Sequence, residues 1–170
     1  MVAVRAAPRP ALRPGSLPAV TPVLILVHLC VGAGWLGGML YSLFVVQPRV
    51  PRVLRDPAQA EDFYRELGAG NRWRVVGLIG VLAVSGLLVA YVQSGHSWMW
   101  WAVVAAKVLL LAAASVLFWW VSWRGWPRRV FALPDELPGQ QARFRRVALA
   151  MAGLVGLAFV LGIGASHALT

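Results

Sequence analysis

Four long apolar stretches alternate with shorter polar segments along the chain. Each stretch has about the length that an α-helix needs to cross a bilayer core, roughly 20 residues at about 1.5 Å per residue. The pattern predicts transmembrane helices at about 22–46, 75–93, 98–123 and 147–167. We therefore expect an all-α, polytopic membrane protein, with a four-transmembrane-helix bundle over residues 21–170 and a flexible basic N-terminal leader over residues 1–20.

Composition supports the same class of protein. Hydrophobic residues make up 59% of the 170 residues and charged residues 13%, whereas about a quarter of a soluble domain is charged. All six acids and every base except Lys107 lie outside the predicted spans. The basic residues lie close to helix ends instead of on a soluble module, so the net charge of +10 indicates contact with lipid and not with nucleic acid.

The distribution of arginine predicts an orientation. Twelve arginines belong to the two long loops and their flanks, whereas three lie in the leader. Because positive loops stay in the cytoplasm, we expect both termini outside a bacterial-type inner (plasma) membrane.

The first loop contains signals for a short helix. Asp56 is a good N-cap, Pro57 suits the first helical position and Gly68 suits the end of a helix. These residues predict a short amphipathic helix on the membrane surface.

Two basic residues, His28 in the first span and Lys107 in the third, lie well inside the predicted spans. An ionisable residue inside a membrane is a functional candidate by default, and the alternative for His28 is a hydrogen bond to a neighbouring helix. Lys107 follows Trp98 by nine residues, about 14 Å into the third span, and no acid in any span can neutralise it. It must be neutral, bond to backbone carbonyls, reach water or face an anionic ligand such as a carboxylate-bearing cofactor.

All three histidines lie on the same side of the predicted bundle, the side of the termini. With Met99 they form a candidate metal site of His28, His96 and His167, because imidazole and thioether ligands suit copper. Neutral imidazoles could equally hold haem iron, in a cofactor site with His28, Lys107 and His167. The lone cysteine, Cys30, is more typical of a small packing residue.

Glycines in the first span indicate close packing. Gly34 and Gly38 form a GxxxG pattern and Gly37 extends the same surface. Small residues let membrane helices approach closely. We expect these glycines to pack against another helix, or to form a flat wall against a planar ligand.

Several motifs together resemble the CopD copper-resistance domain family. The resemblance runs from about His28 to Trp123, and its motifs are His28 followed by GWLGG (34–38), NRWR (71–74), SGLL (85–88) and AAKVLLL (105–111). It implies a four-helix membrane protein associated with copper, with His28, Trp35, Arg72 and Lys107 at motif positions. For Trp35 and Arg72 we expect a structural packing role.

A second resemblance concerns the stretch WLGGMLYSLFVVQPR, which is similar to the first helix of HemJ-type protoporphyrinogen oxidases. That family implies a haem-binding four-helix protein with a histidine in the first helix and a lysine in the third. The leading hypothesis is copper handling or transport, without enzymatic activity, near the outer face. The alternatives are a haem b oxidoreductase or electron carrier and a structural subunit. Expected partners are the bilayer, other membrane or periplasmic subunits, or a second copy.

Overall fold

The computed structural model describes residues 20–93, 97–133 and 135–168, with side chains described at 21–93, 97–133 and 135–164. Within these ranges the chain is almost entirely helical and contains no strand. Four helices are long and apolar enough to cross a membrane. The predicted all-α, four-span membrane fold is therefore confirmed, while most of the leader (1–19) lies outside the described residues.

The helices follow one another with few breaks. In chain order they are α1 (Val20–Tyr41), a π-helical segment (Ser42–Val46), α2 (Gln47–Val53), α3 (Pro57–Gly68), α4 (Asn71–Val92), α5 (Trp98–Trp120), a second π-helical segment (Val121–Gly125), α6 (Trp126–Val130) and α7 (Leu137–Ala168). The spans are α1, α4, α5 and α7. Because they alternate in direction, the two long connections lie at one end of the bundle, called the loop face. The opposite end, called the terminal face, carries the start of α1 and the end of α7.

The helical rods extend beyond the predicted spans at the loop face. Helical structure continues from α1 to Val53 and from α5 to Val130, past the predicted ends at 46 and 123. Likewise α4 begins at Asn71 and α7 at Leu137, ahead of the predicted starts at 75 and 147. Arginine is a good helix former, so the positive charge that ends a membrane span does not end the helix.

Each span contributes to a packed layer near the middle of the bundle. The layer consists of Trp35, Leu82, Ala114, Met151 and Val155, all buried. Within the bundle α5 packs mainly against α7, and α1 packs against both α4 and α7. Many apolar side chains on the outside of the spans are exposed, as expected for a surface that faces lipid. The mid-bundle layer therefore divides the interior into two halves.

The predicted helix in the first loop is confirmed as α3. The side chain of Asp56 accepts a hydrogen bond of 2.9 Å from the backbone N–H of Ala58, which is the geometry of an N-cap. Phe63 and Leu67 are exposed on one side of α3. The helix ends at Gly68, where a methyl group would lie 2.6 Å from the Trp126 ring, so only glycine fits without displacing the indole.

A buried ion pair holds α3 against α6. Arg129 donates from Nε to Oε1 of Glu61 at 2.7 Å and from Nη2 to Oε2 at 2.8 Å. The side chains are only 8% and 5% exposed. The guanidinium also lies 5.2–5.6 Å from the centroids of the Tyr64, Trp126 and Phe144 rings. This two-point contact fixes the loop face of the bundle.

Candidate functional site

A cavity of about 460 Å³ lies between α1, α4, α5 and α7, on the terminal-face side of the packed layer. It is partly open, and apolar side chains such as Ile25, Leu87 and Phe159 form most of its wall. In addition to the indoles of Trp35 and Trp100, three polar side chains line the cavity: His28 of α1, Gln93 at the end of α4 and Lys107 of α5. The two costly residues of the sequence therefore share one cavity.

A short chain of hydrogen bonds fixes the tautomer of the neutral His28 ring. Its Nδ1 lies 2.8 Å from Oγ of Ser85, and Oγ donates to the backbone carbonyl of Val81 at 2.6 Å. Since the hydroxyl has one proton and gives it to Val81, Oγ must accept from Nδ1–H. The other ring nitrogen, Nε2, then carries a lone pair, and no described residue donates to it. The helix-helix hydrogen bond considered from sequence is confirmed and leaves Nε2 available as a ligand.

Glycine at position 86 gives the imidazole its space. A methyl group there would lie 3.0 Å from Cε1 of His28 and 3.6 Å from Nδ1. The distance to Cε1 is shorter than an ordinary van der Waals contact, so one of the two groups would have to move by a few tenths of an ångström. The Ser85-Gly86 pair of α4 therefore supplies both the hydrogen-bond acceptor and the room for the His28 ring, which explains two residues of the SGLL motif.

Lys107 reaches the same cavity from α5. A methyl group at Gly162 of α7 would lie 3.0 Å from Nζ and 3.6 Å from Cε, so the ammonium packs against bare backbone. Among the described side chains, none forms an ion pair or a hydrogen bond with Lys107. All six acids of the chain lie in the loop-face connections. A cation that lacks a counterion inside a membrane is costly, and an acidic group of a ligand would relieve that cost.

The remaining predicted ligands do not join His28 within the described chain. Met99 is exposed and does not line the cavity, and Cys30 is exposed as well. His96 lies outside the described residues, and only the backbone of His167 is described, near the end of α7. In the part of the chain that is described, no three histidine, cysteine or acidic side chains form a group able to hold a metal ion.

The predicted packing residues divide into two groups. Trp35 is buried in the packed layer, 5% exposed, and Arg72 donates to the backbone carbonyl of Ser122, with its guanidinium 4.7 Å from the Trp123 ring centroid. Gly34, Gly37 and Gly38 instead face outward, and a methyl group on any of them would meet no atom within 4 Å. Among the described residues no other helix packs against them, because α1 turns the opposite side toward α4 and α7, so the packing role predicted for these glycines stays a prediction.

Three residues near the cavity were not identified from sequence as site residues. They are Ser85 and Gly86 on α4 and Gln93 directly after its end. The available signal was the hydroxyl of Ser85 in an otherwise apolar span, since a polar group there needs a partner. Comparison of the chain with protein-family models, curated proteins and solved structures found no match.

Proposed function

We propose that the cavity of this multi-pass membrane protein binds an apolar molecule that carries an acidic group. The specific candidate is haem b, in a membrane oxidoreductase or electron carrier. One observation carries the proposal: the lone pair of His28 Nε2 and the unpaired ammonium of Lys107 belong to the same apolar cavity. The resemblance of the first span to HemJ-type proteins agrees with this combination.

The donors fit an iron porphyrin. His28 would provide a nitrogen ligand to the iron through Nε2, and the hydrogen bond from Nδ1–H to Ser85 would orient the ring and increase the basicity of Nε2. The volume of about 460 Å³ is within the range of small-molecule sites, about 300–1,000 Å³. Gly86 and Gly162 leave space beside His28 and Lys107. Haem, when bound, would supply one-electron redox chemistry.

Lys107 would bind the acidic end of the ligand. Its ammonium has three donors, none of which is engaged by the described residues. Pairing with a carboxylate in a low-dielectric site gives short, strong hydrogen bonds. In this arrangement α1 and α4 would hold one part of the ligand and α5 and α7 another. Ligand binding would therefore draw these two pairs of helices together.

The arginine distribution supports an orientation for this site. We propose that the loop face is cytoplasmic, in a bacterial-type plasma membrane, because it carries twelve of the fifteen arginines. The cavity then belongs to the outer half of the bilayer. A redox or transfer partner would reach it from the outer side or from within the membrane.

Copper handling of the CopD type is the second candidate. The same Nε2 lone pair would be a ligand, and His167 lies one helical turn after Ile163 on α7, which borders the cavity. The CopD-like motifs around His28 and Lys107 agree with this role.

Optical and metal analysis of the detergent-purified protein tests these proposals. We expect a Soret band in the wild type and in Cys30→Ala, the matched control on the exposed side of α1. The band should be lost in His28→Ala and weakened in Lys107→Met, with helix content unchanged. A protein without a Soret band, even after incubation with haemin, would overturn the haem proposal. Stoichiometric copper that depends on both His28 and His167 would then support the second candidate.

A further inference from the structure

A second cavity lies on the other side of the packed layer and opens at the loop face. Its volume is about 1070 Å³. Its deep wall is apolar and includes Trp35, Met39, Leu43, Phe118 and Met151. Trp35 also lines the cavity that contains His28, so its indole belongs to the part of the packed layer that separates the two spaces. Nothing in the proposed function uses the second cavity.

Four arginines line this loop-face cavity, and they are not equally neutralised. They are Arg65, Arg72, Arg129 and Arg145. Arg129 is fully paired with Glu61, and Arg65 lies 3.3 Å from a carboxylate oxygen of Asp62. Within the described ranges, Arg72 and Arg145 have no carboxylate partner. The cavity wall therefore carries two positive charges that no acid of the chain balances.

Arg72 is held ready for a further acceptor. Its Nη2 donates to the backbone carbonyl of Ser122, and the face of its guanidinium lies over Trp123. These contacts orient the planar group while using only part of its five N–H donors. Arg145, on α7, is exposed and forms no ion pair among the described residues. The pair therefore combines an oriented guanidinium with an unpaired one, and both line the same cavity.

The location of these charges indicates the chemistry of the ligand. Arginines at the end of a membrane bundle lie at the depth of lipid headgroups, and basic pockets between spans bind anionic headgroups. Planar guanidinium groups match the oxygens of a phosphate. The apolar deep wall would accept hydrocarbon, which a free phosphate ion does not possess.

We propose that the loop-face cavity binds the phosphate group of an anionic phospholipid. Arg72 and Arg145 contact the phosphate, and the acyl part lies against the apolar wall near Met39 and Leu43. The ion pair of Arg129 with Glu61 forms one side of the site without contributing net charge. The site is a structural lipid site on the face opposite the His28 cavity, and the proposal does not rest on the identity of the ligand in that cavity.

Native mass spectrometry of the full chain in detergent tests this site. The protein is titrated with phosphatidylglycerol, phosphatidylcholine and inorganic phosphate, using Arg145→Gln and Arg72→Gln. Arg146→Gln is the matched control, because Arg146 is the adjacent residue, is exposed and does not line the cavity. We expect one saturable phosphatidylglycerol adduct whose affinity falls about tenfold or more in Arg145→Gln and Arg72→Gln, as for a charge-assisted hydrogen bond.

Several outcomes would overturn the proposal. Equal losses in Arg145→Gln and Arg146→Gln would show non-specific attraction to a basic surface, since each arginine near a membrane contributes to that attraction. Equal binding of phosphatidylcholine would show that charge is not recognised. Tight binding of inorganic phosphate that displaces the lipid would assign the site to a soluble phosphate ion. Because Arg145 is exposed, its variant should fold, and a circular dichroism spectrum equal to that of Arg146→Gln checks this.

Discussion

Substitution of Glu61 by glutamine should shift the equilibrium between the docked and the open position of α3 toward the open one. The change keeps the shape of the side chain but leaves the buried charge of Arg129 without its counterion. Breaking a buried ion pair in this way costs about 3–5 kcal/mol. Because the guanidinium is also surrounded by three aromatic rings, which interact favourably with a cation, we expect the lower end, about 3 kcal/mol, or roughly two orders of magnitude in the opening equilibrium.

Hydrogen exchange of the α3 backbone amides measures this opening directly. Asp62→Asn is the matched control, since it removes the neighbouring carboxylate from a pair that is 43% and 74% exposed. Exposed pairs contribute about 0–1 kcal/mol, so amide protection in α3 should fall less than about fivefold. Similar small losses of protection in Glu61→Gln and Asp62→Asn would refute the assignment of the docking energy to the buried pair.

The titration of Glu61 and the close fit of Gly86 against His28 can be tested in the same protein. Hydrogen bonds from Arg129 lower the pKa of Glu61 below its ordinary value of 4.5. The stabilising contribution of Glu61 is therefore complete above pH 4.5 and is lost as the pH falls through the lower pKa of the folded state. The protection of the α3 amides from hydrogen exchange should weaken on acidification in the wild type and not in Glu61→Gln. Gly86→Ala should displace the His28 ring, because the added methyl would lie 3.0 Å from Cε1. The substitution should weaken ligand binding in the cavity at least tenfold, about 1.4 kcal/mol. Gly34→Ala is the control and should bind the ligand as the wild type does, because its added methyl would meet no atom of the described residues within 4 Å. Equal affinities in all three proteins would contradict this geometry.

The four spans could be predicted because a bilayer imposes a length and a composition on each of them. The ends of the helices could not, because the arginine-rich segments up to Val53 and Val130 are compatible with both helix and loop. The two π-helical segments at Ser42–Val46 and Val121–Gly125 carry no compositional signal. Each one widens a turn locally and depends on packing against α7 and on the turns that follow.

Only some of the residues of the candidate site could be predicted from the sequence. His28 and Lys107 could be identified because each is expensive in lipid. Their partners could not, since a span that is apolar on every side does not reveal which face it turns inward. Ser85 is 57 residues from His28, and no periodic pattern connects them. For the same reason the sequence could not show that the GxxxG surface at Gly34 faces away from α4 and α7.

The ion pair of α3 was missed for a different reason. Glu61 is one of four acids in the first loop, where a carboxylate is normally solvated. Its partner lies 68 residues away. The sequence signal for a buried cation is limited to three aromatic residues, Tyr64, Trp126 and Phe144. Their rings form a surface on which a guanidinium stacks.

Trp35 places the two cavities in mechanical contact. Its indole is nearly buried in the packed layer and lines the space on either side. A ligand that moves the indole from one side changes the volume on the other, and well-packed interiors transmit such displacements. Occupancy of the His28 cavity and of the proposed lipid site would then be thermodynamically linked, and the linkage is reciprocal. Lipid binding would change the affinity of the His28 cavity for its ligand by the same factor by which that ligand changes the affinity for lipid.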